Sequence, residues 1–355
     1  MKRKKILKKL LDVNFIDTLK ILYYIISKNY SKYPSYVQNF EKLISKKFNS
    51  KYVLTFSSGT AAFYASFLSL KLRNKPEVLV SKMTFPSIIT TLKMLDVNLT
   101  FFDIDKNFQP QISNLKKIDY DLIVITHPFG FMTNFEILES FKNDKTKTIF
   151  DCSHIQGLKY LNKNINEFCD ISFMSIQGKK AISGGEGGLI LTNNNDHYLN
   201  MIKSHHPGHS LNSFNLYAGL TDNLKLRMHP LASLLAISDL KNFERKNKKI
   251  KDKFKQIYEY IDDKNFLDYP KFNYDCTSGF HYGLPFYVKK ENFKSKWPIM
   301  KYNWPIDYDY NLNPIHDKNN DNFLSKLYFI DLDWIKDNST SKVINSISKM
   351  FIDDL

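Results

Sequence analysis

Short apolar runs alternate with stretches of helical periodicity through most of this chain, and that alternation constrains the fold more than any other feature. Tyr52–Phe56 leads into Ser57-Ser58-Gly59-Thr60 and then residues 61–72, which are rich in helix formers. A strand, a turn of small residues and a helix is how an α/β protein aims backbone N–H groups and a helix N-terminus at an anion. Comparable apolar runs recur at 77–80, 100–103, 121–126, 148–150, 171–174 and 188–191. Several are separated by helical stretches, which predicts a mostly parallel sheet with helices on both faces. At 355 residues the chain exceeds the ~250 to 300 at which one core stops growing, so a large domain with a smaller C-terminal one is expected.

The flanking segments fix the remaining organisation. Over residues 2–27, Ile6, Leu10, Val13 and Leu19 recur at helical spacing among lysines, predicting a basic amphipathic helix. Residues 1–35 hold nine Lys or Arg against Asp12 and Asp17, so about half of the net charge of +15 lies in this one segment. Such a helix packs on the domain or a partner subunit, or lies on an anionic membrane surface. The charge predicts anionic partners in general, and no nucleic-acid-binding motif accompanies it. After Pro34, residues Val37, Phe40, Leu43, Ile44 and Phe48 predict a second helix. A single long helix is predicted from Pro230 through Leu235, Leu240 and Phe243 to about residue 255, followed by an aromatic region with a strand near 281–288. The expected domains are therefore an N-terminal helix at 1–30, a large domain at 31–235 and a small domain at 236–355. Cys152, Cys169 and Cys276 are too scattered for a disulfide framework or a zinc site, and no apolar run reaches the ~18 residues of a membrane span. A cytoplasmic protein is expected.

Four separated segments carry chemistry. Asp151-Cys152-Ser153-His154 follows an apolar run, where α/β sheets place ligand groups. Ser175-Ile176-Gln177-Gly178-Lys179-Lys180 follows another, Gly184-Gly185-Glu186-Gly187-Gly188 precedes a third, and Ser58-Gly59-Thr60 lies far upstream. His205, His206 and His209 are interrupted by Pro207-Gly208, which makes a loop rather than a metal site, and no metal is expected. His127, after the run at 121–126, reads as packing or cleft wall.

In order and spacing these segments, with Met83-Thr84-Phe85, His127-Pro128-Phe129-Gly130 and Arg227-Met228, resemble the DegT/DnrJ/StrS family of pyridoxal-phosphate (PLP) sugar aminotransferases. The resemblance runs from about Phe40 to Phe243. It implies the aspartate aminotransferase fold (fold type I): a mostly parallel seven-stranded sheet between helices, plus a smaller α+β domain. It also implies roles. Lys180 would form a Schiff base with the PLP aldehyde and shuttle the substrate proton. Asp151 would pair with the pyridinium nitrogen and keep the ring an electron sink. His154 matches a family position, Gln or His, on the ring-hydroxyl side, and Phe85 matches the aromatic that stacks on the ring. Ser58, Gly59, Thr60 and Ser175 would hold the phosphate. The spacing to Ser175 and Gly185 selects Lys180 over Lys179.

The chain departs from the family where Asn-Tyr-Arg-Met is common, reading Lys225-Leu226-Arg227-Met228-His229-Pro230. Lys225 is expected to make a charged version of the asparagine's contact with the phosphate of the neighbouring subunit, in a homodimer. Arg227 would anchor an anionic substrate group, with Glu186 and His206 bordering the substrate cleft. His229-Pro230 is similar to a branch that includes cyclitol aminotransferases. The implied reaction moves the amino group of L-glutamate to a keto-sugar, nucleotide-linked, for a surface polysaccharide; transfer to a small phosphorylated or cyclitol ketone is the competing reading. Dehydration at sugar C3 belongs to relatives with His in place of the lysine, and a non-catalytic scaffold is disfavoured by the intact residue set.

Overall fold

The computed structural model describes residues 15–27, 33–113, 115, 118–205, 224–264, 267–271, 282–288, 298–301 and 326–352. In chain order the elements are α1 (Phe15–Ile26), α2 (Tyr33–Phe48), β1 (Tyr52–Phe56), α3 (Gly59–Ser69), β2 (Glu77–Ser81), α4 (Pro86–Met94), β3 (Asn98–Ile104), β4 (Pro110–Gln111), β5 (Leu122–Thr126), β6 (Lys147–Asp151), β7 (Ile171–Ser175) and β8 (Gly188–Thr192). After these come α5 (Asn195–His205), α6 (Pro230–Lys241), α7 (Phe243–Lys264), β9 (Leu267–Asp268), β10 (Gly283–Val288), β11 (Ile299–Lys301), β12 (Leu327–Asp331), α8 (Leu332–Asp337) and α9 (Thr340–Ile352). They form two compact units, one of residues 1–71 and 166–245, the other of residues 72–165 and 246–355.

In the first unit β8 lies between β1 and β7 and runs antiparallel to both. Residues 176–187 join β7 to β8 without the crossover helix that a parallel pair usually requires, and the two strands pair antiparallel. The register puts Gly188 opposite Phe56 on one side and Ser175 on the other. Helix α3 packs on β7, β8 and α5, and both α1 and α2 pack on α6. Asp17 of α1, itself buried, accepts from the Lys241 ammonium of α6 at 2.6 and 2.8 Å. Phe40, Ile44 and Phe48 of α2 are buried at helical spacing, and Phe48 meets the Phe243 ring edge-on.

In the second unit the strand order is β6-β5-β2-β3-β4. The first four run parallel, with α4 making the crossover from β2 to β3, and only the two-residue β4 is antiparallel. All five residues of β5, Leu122–Thr126, are buried, as two covered faces demand. Apart from the short pair Lys159–Tyr160 and Lys163–Asn164, the strands from β1 to β8 number eight among the described residues with β4 counted, where the family pattern implies seven. An antiparallel sheet in the order β9-β10-β12-β11 completes this unit, with α8 packed on β12.

The expected single helix from Pro230 is two. Asn242 ends α6 at φ −98° and ψ 1°, and its side-chain oxygen accepts from Arg245 at 3.1 Å. A short polar side chain that bonds locally competes with the helical ladder. The second helix then runs to Lys264, nine residues beyond the expected end. No helix among the described residues is long and apolar enough to cross a membrane.

Candidate active site

The chemistry-bearing residues fall into two groups, one in each unit, and in both the strand directions explain their placement. In the first unit β1 and β7 flank β8 and point the same way, so their carboxyl ends converge beside Gly188. Ser58 caps α3: its side chain accepts from the Ala61 N–H at 3.0 Å while its carbonyl takes the Ala62 N–H. A Cβ on Gly59 would sit 2.8 Å from the Ser175 Cβ, and one on Gly188 only 2.2 Å from the Ser58 carbonyl oxygen. Only glycines let the turn, the helix N-terminus and Ser175 come this close. The result joins Ser58, Gly59, Thr60 and Ser175 around the positive end of an eleven-residue helix.

Lys180 lies on the return from β7 to β8. Its backbone N–H donates to the Gln177 carbonyl at 2.9 Å, closing a turn, and the side chain is half-buried. The loop is laced across its base: Ile176 N–H reaches the Gly187 carbonyl at 2.9 Å, and Gly184 N–H the Ile176 carbonyl at 2.8 Å. The Gln177 amide donates to Glu186 at 3.1 Å, and Ser183 N–H donates to Asp239 of α6 at 3.0 Å. Gln177 stands in the Ser175–Lys180 segment without a role of its own in the sequence reading, and Asp239 belongs to no motif.

Arg227 forms a single antiparallel bridge with Phe56, and the Ser57 N–H donates to the Leu226 carbonyl at 2.7 Å. The segment carrying Lys225 and Arg227 is thereby tied to the end of β1. Lys225 is exposed and Arg227 half-buried. His229 caps α6, its Nδ1 accepting from the Leu231 N–H at 3.2 Å, with Pro230 in the first turn. The His-Pro pair thus has a structural use at the start of α6. His206 and His209 lie outside the described residues.

In the second unit β2, β5 and β6 are parallel, so the segments leaving their carboxyl ends share one edge. Phe85, 46 % exposed, comes after β2 and precedes the Pro86 that opens α4. Thr84 and Thr126 join the ends of β2 and β5 through their hydroxyls at 2.6 Å. His127 is fully buried, its Nδ1 accepting from the Thr133 N–H at 3.1 Å, and burial pushes its imidazole down to about 3. A neutral ring with no exposure suits packing, one of the two roles its position left open.

Asp151 closes β6 at 6 % exposure, and one carboxylate oxygen accepts from the Ser153 N–H at 2.9 Å. His154 sits on the next turn. Its Nδ1 accepts from the Phe129 N–H at 3.3 Å, and its ring stacks on Tyr282 at 5.2 Å and 20°. The sequence reading gave Phe129 no role beyond its place in the His127–Gly130 segment, and Tyr282 belongs to no motif.

Each group, taken within its own unit, has the chemistry to hold part of a flat, phosphorylated, carbonyl-bearing cofactor. A helix N-terminus with two hydroxyl residues suits a phosphate, a buried carboxylate suits a ring N–H, and a half-buried amine suits an aldehyde. Comparison with known proteins agrees. GDP-perosamine synthase of Escherichia coli O157:H7 is 28 % identical over 230 residues, 62 % of this chain and 63 % of that one. UDP-4-amino-4,6-dideoxy-N-acetyl-beta-L-altrosamine transaminase of Campylobacter jejuni is 25 % identical over 48 % of this chain and 47 % of its own length. The chain thus matches about half to three-fifths of the length of these curated relatives. Among solved structures, Escherichia coli GDP-4-keto-6-deoxy-D-mannose-3-dehydratase with bound hydrated PLP superposes with a TM-score of 0.80, at 17 % identity over 95 % of this chain and 97 % of that one. The 3-amino-5-hydroxybenzoic acid synthase gives 0.81, at 14 % identity over 96 % of each chain, and both show a shared fold. The profile of the DegT/DnrJ/EryC1/StrS aminotransferase family matches residues 19–295, and the chain belongs to that family.

Proposed function

We propose that this chain is a PLP-dependent aminotransferase that moves the amino group of L-glutamate to a keto-sugar, nucleotide-linked, in surface-polysaccharide or glycoconjugate biosynthesis. The observation that carries the reading is Lys180, placed on the loop that leaves β7 just after Ser175 has met Gly59. Relatives named for nucleotide-sugar products support the substrate class.

Bound PLP supplies an aldehyde that carries the amino group between the two substrates and a ring that takes up the electron pair released at Cα. The Lys180 amine holds the cofactor in the resting enzyme, then takes the proton from the glutamate Cα and returns one to the former ketone carbon. The Asp151 carboxylate holds the proton on the ring nitrogen, and its burial strengthens that attraction. Thr60 and Ser175 hydroxyls, Ser58 and Gly59 with the α3 terminus, bind the phosphate; Phe85 covers one ring face, and His154 addresses the ring hydroxyl. Arg227 is assigned to an anionic substrate group, Glu186 and His206 to the substrate side.

Two further assignments complete the reading. The enzyme works as a symmetric homodimer in which Lys225 reaches the phosphate held by the partner subunit. The outward face of α1, where Leu19, Leu22, Tyr23, Ile25 and Ile26 are exposed, rests on the anionic inner surface of a membrane.

The test is an assay of the full chain with L-glutamate and a panel of nucleotide-linked keto-sugars, cyclitol ketones and phosphorylated ketones, scored by 2-oxoglutarate. Turnover is expected with a nucleotide-linked member, and Lys180→Ala should lower it by more than about a hundredfold. Turnover only with the cyclitol or phosphorylated ketones would reassign the substrate. Wild-type protein without a PLP absorbance band, or an undiminished Lys180→Ala, refutes the enzyme reading.

A further inference from the structure

His154 differs chemically from the glutamine that can stand in its place. An amide offers an N–H toward its ligand in every protonation state of interest, whereas a neutral imidazole offers one only from the nitrogen that carries the proton. A histidine at this position therefore needs a second group that dictates its tautomer. The backbone of Phe129 is such a group: its N–H points at Nδ1 from 3.3 Å, which makes Nδ1 the acceptor and leaves the proton on Nε2. That donor is aimed by an unusual backbone, since Phe129 has φ 51°, in the left-handed region that bulky residues avoid, followed by Gly130 at φ 89°.

The ring plane is fixed from another direction. Tyr282, the residue before β10, stacks on His154 at 5.2 Å and 20°. Tyr282 in turn meets the Phe129 ring edge-on at 6.3 Å and the Phe329 ring of β12 at 5.5 Å, while Phe129 and Phe329 lie 5.6 Å apart. Three aromatic rings thus form a closed set, two of them from the C-terminal part of the chain, and one of these, Tyr282, lies on the imidazole.

We propose that Phe129 and Tyr282 are positioning residues that hold His154 as the Nε2–H tautomer with a fixed ring plane, so that this N–H is delivered to the ring hydroxyl of PLP. The proposal rests on the assignment of His154 to that hydroxyl. Its consequence is that the C-terminal sheet takes part in setting the charge state of the bound cofactor.

The experiment uses the full chain labelled with 15N-histidine, first without cofactor, where NMR reads which ring nitrogen of His154 bears the proton; the signal is identified by its loss in His154→Gln. Nε2–H is expected in wild type and in Tyr282→Phe, and a mixture of tautomers in Tyr282→Leu. A proton on Nδ1 in wild type overturns the proposal without recourse to any variant. The second readout is the pH midpoint of the absorption band of the PLP-loaded protein. Loss of a donor to the ring oxygen disfavours its charged form, so His154→Leu should raise the midpoint by about 0.5 to 1 unit, the equivalent of one hydrogen bond. Tyr282→Leu should raise it in the same direction by a smaller amount, and Tyr282→Phe should leave it unchanged. An unmoved midpoint in His154→Leu defeats the assignment of His154 itself. A moved midpoint there, with wild-type tautomer and midpoint in Tyr282→Leu, defeats the positioning role alone.

Discussion

A single carboxyl outside the site shows how burial alone changes what a residue does. Glu41 on α2 accepts from the Thr55 backbone N–H and hydroxyl, both at 2.9 Å. Burial pushes its carboxyl up to about 7, although the two bonds from Thr55 act in the opposite direction. The folded state therefore holds this proton more tightly than the unfolded chain. Its contribution to stability is fully present below pH 4.5 and is lost progressively as the pH rises to about 7. The shift corresponds to at most ~3 kcal/mol, a ceiling because the residue is only half-buried. Glu41→Gln keeps an acceptor and removes the titration, so its stability, measured by urea unfolding at pH 5 and pH 7.5, should fall less across that interval by about 1 to 3 kcal/mol. An identical fall in both proteins would remove Glu41 from the account.

Elements are where physical pattern and sequence agree best, and where they part company for definable reasons. α1 has one face committed, through Asp17 and the 1 % exposed Tyr24, and another that presents Leu22, Tyr23 and Ile26 to solvent beside a basic segment. Full-length protein should pellet with liposomes containing phosphatidylserine, release with rising salt, and bind more weakly as Leu22→Asp or Ile26→Asp. Pelleting equal on neutral liposomes, or unchanged in both variants, would contradict the membrane assignment. The strands from β1 to β8, apart from the two-residue β4, were legible as apolar runs, continuous where both faces are buried, as over 122–126. The turn at Ser58 and Gly59 was legible because small residues must stand where backbone meets backbone. The break at Asn242 was not, since the apolar spacing continues through it and only the local bonding of one side chain ends the ladder. α9 went unread although Val343, Ile344, Ile347 and Met350 recur at helical spacing, because the sequence reading of the C-terminal region rested on its aromatic runs. The Phe129 donor was illegible in principle: any residue but proline carries a backbone N–H, and its direction is set by φ rather than by side-chain chemistry.

At the scale of the whole molecule the open quantity is the number of chains that make one site. The proposed contact of Lys225 with the neighbouring subunit's phosphate needs a side chain that leaves its own chain, and Lys225 is exposed. A net charge of +15 opposes association of two copies, so the dimer should tighten as salt screens the repulsion. Light scattering should give about twice 41.7 kDa per particle. Mass alone does not show a shared site, but complementation does. Lys180→Ala lacks the amine that holds the cofactor, and Lys225→Ala should weaken cofactor retention in the opposite subunit. In a mixed dimer one site combines Lys180 from one chain with Lys225 from the other. Random re-pairing of the two variants should therefore restore roughly a quarter of the wild-type rate, since half of the dimers are mixed and each holds one native site. Single-chain mass would end the dimer reading. A true dimer without restoration would confine Lys225 to its own chain, where the bond from Ser57 to Leu226 already ties its segment to the end of β1.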